Sequence, residues 1–135
     1  MMRFLSLGIL LLAFAACGSD ASPPTCTGTS CACEAGTACD IDGSSCAGNS
    51  CTLSCTDDNT CSGTCGNSCS IDCSGGSTCT MTLGASGSVS CSEGATCDIR
   101  CSGSCSLSCS PDSTCRLACG DGELMPVESG GSCPG

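Results

Sequence analysis

The sequence predicts an all-β protein, a two-sheet parallel β-solenoid of about five rungs of 18 residues, ribbed by disulfides. A repeat, a parity rule and a composition predict it. The segments Cys55-Thr-Asp-Asp-Asn-Thr-Cys61, Cys73-Ser-Gly-Gly-Ser-Thr-Cys79, Cys91-Ser-Glu-Gly-Ala-Thr-Cys97 and Cys109-Ser-Pro-Asp-Ser-Thr-Cys115 begin 18 residues apart. From Cys51 to Cys119 every Cys, Ile, Leu, Val and Met has an odd number, so one parity faces inward, as on strands with one buried face. The chain carries 21 cysteines, while its two aromatic residues, Phe4 and Phe14, both fall in the first 17 positions. An apolar core that thin needs covalent help. An irregular disulfide-rich loop domain is the alternative architecture.

In chain order, residues 1–16 have the layout of a secretion signal: Arg3, an unbroken apolar run from Phe4 to Phe14, then Ala15-Ala16. The run is shorter than the ~20 residues that span a bilayer as a helix. Phe14-Ala15-Ala16-Cys17 resembles a bacterial lipobox, in which small residues precede a cysteine that becomes the lipidated N-terminus. Phe14 stands where Leu is commoner. The resemblance covers the first 17 residues and implies an exported lipoprotein precursor, lipidated at Cys17 and held to the membrane by that lipid. Gly18 rather than Asp after Cys17 further implies the outer membrane or cell surface. An ordinary signal peptide cut near Ala16 is the other reading. Residues 17–25, from Cys17 through Pro23-Pro24-Thr25, read as a short polar tether.

Residues 26–119 carry the repeat. A degenerate first copy, Cys33-Glu-Ala-Gly-Thr-Ala-Cys39, starts 22 residues before Cys55, one period plus a four-residue insertion around Ser45 to Gly48. Strands such as Cys69-x-Ile71-x-Cys73 and Cys97-x-Ile99-x-Cys101 alternate with turns of five residues (92–96) and three residues (Gly66-Asn-Ser68, Gly84-Ala-Ser86, Ser102-Gly-Ser104). Two strands and two turns make one rung. The strands near 51, 69, 87 and 105 belong to one sheet, and those near 61, 79, 97 and 115 to the other. Such disulfide-ribbed coils resemble the insect antifreeze β-helices in architecture, with a longer period here. Residues 120–135, with Leu124, Met125 and Val127, read as a cap or tail that shields the last rung.

The cysteines also suggest their own pairing. Inward residues flanking a turn face each other, and where sister rungs have Cys65 with Cys69 and Cys101 with Cys105, the rung between has Leu83 and Gly87. Joint loss is what pairing across the turn predicts. With Cys17 set aside, neighbours pair in order: Cys26 with Cys31, Cys33 with Cys39, Cys46 with Cys51, Cys55 with Cys61, Cys65 with Cys69, Cys73 with Cys79, Cys91 with Cys97, Cys101 with Cys105, Cys109 with Cys115, and Cys119 with Cys133. Export supplies the oxidising compartment. Each short closed loop removes on the order of 2 kcal/mol of unfolded-state entropy in the chain-entropy model.

Function is narrowed by exclusion. All 13 acidic residues lie beyond Cys17, against only Arg100 and Arg116, a surface that repels nucleic acid and anionic lipid head groups. Beyond Cys17 there is no His, Lys or Tyr, which removes most general bases and nucleophile activators, so no catalysis and no cofactor is expected. A metal-sequestering role is the first alternative, but the chain has one C-x-C (Cys31, Cys33), no C-x-x-C and no histidine. Asp57 with Asp58, or Asp40 with Asp42, could hold a weak Ca²⁺ but miss the regular calcium repeat. Ice binding or other surface adhesion is the second alternative. It draws on the column Thr60, Thr78, Thr96, Thr114, although only Thr80-x-Thr82 matches the T-x-T row, and Asp98, Arg100 and Arg116 interrupt it. The leading expectation is a non-catalytic, membrane-anchored cell-envelope lipoprotein serving as a structural or interaction domain. No residue pattern names its protein or surface ligand.

Overall fold

A computed structural model describes residues 21–135; the signal segment 1–16 and the lipidation residue Cys17 lie outside them. Two sheets wind as a parallel β-solenoid. The strands are β1 (Thr25–Thr27), β2 (Ser30–Ala32), β3 (Ala38–Asp40), β4 (Thr52–Cys55), β5 (Thr60–Cys65), β6 (Ser70–Cys73), β7 (Thr78–Leu83), β8 (Gly87–Cys91), β9 (Thr96–Cys101), β10 (Cys105–Cys109), β11 (Thr114–Cys119), β12 (Met125–Val127) and β13 (Gly130–Cys133). One sheet runs β1-β2-β4-β6-β8-β10-β13 and the other β12-β11-β9-β7-β5-β3. Five turns of the coil result, β2 with β3 through β10 with β11, and the division of strands between the sheets is the one the sequence predicts.

The register follows the repeat. Thr60, Thr78, Thr96 and Thr114 are successive partners, each 18 residues from the last, and Ala38 precedes them by 22 because of the insertion. These threonines open strands rather than closing turns, so the sheet facing them is one residue longer than the alternation alone suggests. The four extra residues fold as a 3-10 turn, Ser45–Ala47, capped by the Ser44 hydroxyl, which accepts from the Cys46 amide at 3.1 Å.

Parity decides the core. On the parallel strands from Cys51 to Leu117 the aliphatic and cysteine side chains at odd positions are buried. In the first sheet Leu53, Ile71, Val89 and Leu107 stack in register; in the second Met81, Ile99 and Leu117 do the same, and Gly63 continues the column where Ile41 fills the space. A rung therefore encloses two aliphatic side chains between cysteines at its two edges, a cross-section that needs no aromatic ring. Close packing of small, stiff side chains takes its place.

The ends depart from the simple coil. At the start, β1 pairs antiparallel with β2 through the two-residue turn Gly28-Thr29, placing Cys26 opposite Cys31. At the finish, β12 pairs antiparallel with β11, and β13 with β10. This returning segment buries Ala118, an outward position, to 1 % exposure, whereas Met125 stays 61 % exposed. Pro126 sits in edge strand β12, where its missing N–H discourages further pairing.

Candidate functional site

Ten disulfides join sequence neighbours: Cys26–Cys31, Cys33–Cys39, Cys46–Cys51, Cys55–Cys61, Cys65–Cys69, Cys73–Cys79, Cys91–Cys97, Cys101–Cys105, Cys109–Cys115 and Cys119–Cys133. They occupy the two edges of the coil. Five of them bridge the longer turns, with Cα atoms 5.9 to 6.4 Å apart. Stacking at one rung per strand spacing brings their sulfurs together: Cys55, Cys61 and Cys79 have Sγ atoms within 4.8 Å of one another, as do Cys73, Cys79 and Cys97, and Cys91, Cys97 and Cys115. Three sulfurs at such distances have the look of a soft-metal site. Each is bonded to a partner sulfur, however, and it is the thiolate that binds metal.

The carboxylates considered for cations are engaged by their own turns. Asp42 accepts from the Thr64 amide at 2.7 Å, Asp40 from the Asp42 amide at 2.9 Å, and Asp57 from the Thr56 hydroxyl at 3.1 Å. Asp57 and Asp58 both have left-handed backbones. They shape a turn.

Outward rows give two different faces. On the six-stranded sheet Asp98 pairs with Arg116 in the next rung, the guanidinium donating from both Nε and Nη2. The hydrogen bond to Asp98, and then its charge, raise the Arg116 pKa. Arg100 donates to the Gly122 carbonyl at 3.0 Å, tying the C-terminal segment across that face. A concavity of 510 Å³ lies there, lined by Thr82, Arg100, Cys101, Ser102, Gly120 and Asp121. The threonine column is thus continuous, while the row beside it is broken by an ion pair.

The seven-stranded sheet is more uniform. Ser30, Thr52, Ser70, Ser88, Ser106 and Ser132 are successive register partners and all exposed. Beside them run Ala32, Ser54, Asp72, Ser90, Ser108 and Gly130, with a single charge. Adjacent parallel strands repeat at about 4.8 Å, so this is a regular array of hydroxyls. Sequence reasoning missed it. Its central members Ser70, Ser88 and Ser106 repeat at 18, but Ser30 precedes the insertion and Ser132 joins from an antiparallel strand.

A second missed feature lines the three-residue turns. The Asn49 side-chain oxygen accepts from the Asn67 amide, and the Asn67 oxygen accepts from the Ala85 amide, each at 2.7 Å. Gly66 and Gly84 make room, since a Cβ on either would fall 2.5 Å from the asparagine oxygen beneath it. The ladder ends at Ala85. Comparison with protein-family models, with curated proteins and with solved structures finds no match to this chain, and its functional reading rests on its own residues.

Proposed function

We propose that the protein is a non-catalytic cell-envelope lipoprotein, exported, anchored to the membrane through a lipid on Cys17, and presenting a disulfide-ribbed solenoid as a structural or interaction domain. The observation that carries this reading is the joining of Phe14-Ala15-Ala16-Cys17 to a domain whose interior is made of disulfides and small aliphatic chains. A core of that kind requires an oxidising compartment, and the leader supplies the route to one. Residues 17–25 then act as the tether that lifts the coil off the bilayer.

Expression in a bacterial host with labelled palmitate tests the anchor. Label on the wild-type chain, membrane association, and loss of both in Cys17→Ser are the expected outcomes. A wild-type chain that is exported but unlabelled and soluble overturns the lipid anchor and leaves an ordinary secreted domain. The negative surface and the absence of His, Lys and Tyr beyond Cys17 support a role without catalysis and without nucleic acid.

The hydroxyl array favours a second reading, a surface-adhesion solenoid whose seven-stranded face meets a periodic hydroxylated surface such as ice or a polysaccharide. Serines at one-rung spacing are the support for it. Thermal hysteresis, or retention on a polysaccharide column, that disappears in Ser88→Tyr is its test. Neither activity in the wild-type protein removes it.

A further inference from the structure

We propose that the five disulfides along the longer-turn edge form a relay for thiol–disulfide exchange, in which a reducing equivalent entering at Cys33–Cys39 passes rung by rung toward Cys109–Cys115. The external reactant is a dithiol or a phosphine.

Continuity comes first. The Cys33 and Cys61 sulfurs, from two different disulfides, are 3.4 Å apart. Cys79 then lies within 4.8 Å of both sulfurs of Cys55–Cys61, Cys97 within 4.8 Å of both sulfurs of Cys73–Cys79, and Cys115 within 4.8 Å of both sulfurs of Cys91–Cys97. No break occurs between the first disulfide of this edge and the fifth. The opposite edge is interrupted, because Leu83 and Gly87 stand where a disulfide would continue it.

Access comes second. Cys33 is half-buried, whereas its four successors along this edge have every cysteine 7 % exposed or less. An outside reductant therefore meets one end of the column more readily than its middle. Interior disulfides exchange with their neighbours instead.

Each transfer balances. Reduction of Cys33–Cys39 by an external dithiol consumes its two electrons and leaves two thiols, the dithiol becoming a disulfide. The Cys33 thiolate attacks the Cys61 sulfur, forming Cys33–Cys61 and expelling the Cys55 thiolate, which takes up the proton given up by Cys33. The Cys39 thiolate then attacks the Cys33 sulfur, restoring Cys33–Cys39 and expelling Cys61, which is protonated in turn. Two electrons and two protons have moved one rung. Attack of Cys61 on Cys79, expelling Cys73, followed by attack of Cys55 on Cys61, moves them one further. Exchange requires thiolate, and burial in apolar surroundings disfavours thiolate, so the relay runs on the slow timescale of uncatalysed rearrangement, about minutes to hours. Backbone ladders on both sheets hold the sulfurs in place meanwhile.

The test uses the chain with Cys17→Ser, one equivalent of a water-soluble phosphine, and quenching at intervals with acid and an alkylating reagent, followed by peptide mapping. Label is expected first at Cys33 and Cys39, then at Cys55 and Cys61, and later at Cys91, Cys97, Cys109 and Cys115. Cys73→Ala/Cys79→Ala opens a gap in the column. In that variant, with native-like circular dichroism, label on the last four cysteines is expected to fall at least tenfold. If that pair unfolds the chain, Cys91→Ala/Cys97→Ala moves the gap one rung on, and label at Cys109 and Cys115 is read. Label that stays on Cys33 and Cys39, or that reaches the far end equally with and without the gap, overturns the relay.

Discussion

Leu83 packs against Gly87: a Cβ built on Gly87 would lie 3.1 Å from Leu83 Cδ1 and 3.2 Å from its Cβ. The two stand across a three-residue turn, in register with Cys65 and Cys101 on one side and with Cys69 and Cys105 on the other. Leucine fills the space that a disulfide would occupy, and glycine provides the room. Gly87→Ala is expected to overpack the site and lower stability by about 1–3 kcal/mol. Leu83→Cys/Gly87→Cys is expected to form an eleventh bridge, adding about 2 kcal/mol in the chain-entropy model. Thermal melting and thiol titration check both, and two free thiols in the folded double variant contradict the shared geometry.

Asn67 provides a second measurable contact. Asn67→Ala removes the acceptor for the Ala85 amide, at a cost of about 0.5–1.5 kcal/mol, and faster hydrogen exchange is expected at that amide. Gly84→Ala is expected to cost more, because its Cβ would meet the Gly66 carbonyl at 2.8 Å as well as the Asn67 oxygen. Equal melting temperatures for the two variants contradict this ordering.

Glu93 has a left-handed backbone with φ of 55°, in the turn position where the rung before has Gly75. That conformation costs an L-residue about 1–2 kcal/mol, partly offset by the greater unfolded freedom of glycine. Glu93→Gly is expected to raise stability by about 0.5–1 kcal/mol, and Glu93→Val to lower it. A lower melting point for the glycine variant contradicts the assignment.

Arg116 and Asp98 form a surface pair with side chains 47 % and 19 % exposed. Pairs so open to solvent add little. The folded-state pKa of Arg116 is raised, so the pair's contribution is fully present below the ordinary guanidinium range and lost only as the pH rises through it. Arg116→Ala is therefore expected to leave the melting temperature unchanged within roughly 4 °C across roughly pH 6 to 9. A larger, pH-dependent shift contradicts that expectation.

Much of the coil could be read from residue spacing, because a solenoid repeats its environment and its sequence repeats with it. The odd-number rule from Cys51 to Cys119 separated interior from surface. What escaped lies where the repeat is broken. Thr25 to Ala32 is too short for periodicity to register, although Gly28-Thr29 is a two-residue hairpin turn, with Gly28 at φ of 63°. Asn49 belongs under Asn67, but the insertion before Gly48 hides the 18-residue interval when the earlier strands are aligned. Ser132 reaches the hydroxyl column along an antiparallel strand, where position no longer follows the period. Cys17 stands apart from these, since lipidation is chemistry of the leader and lies outside the described residues.

The central claim is a coil ribbed by disulfides between neighbours, and peptide mapping of the exported protein under acidic, non-reducing conditions tests it most directly. The account predicts a mass lower than that of the reduced chain by 20 protons, with ten bridges in sequence order from Cys26–Cys31 to Cys119–Cys133. Free thiols at the rung cysteines, or bridges such as Cys61–Cys79 joining one rung to the next in the freshly exported protein, would contradict it.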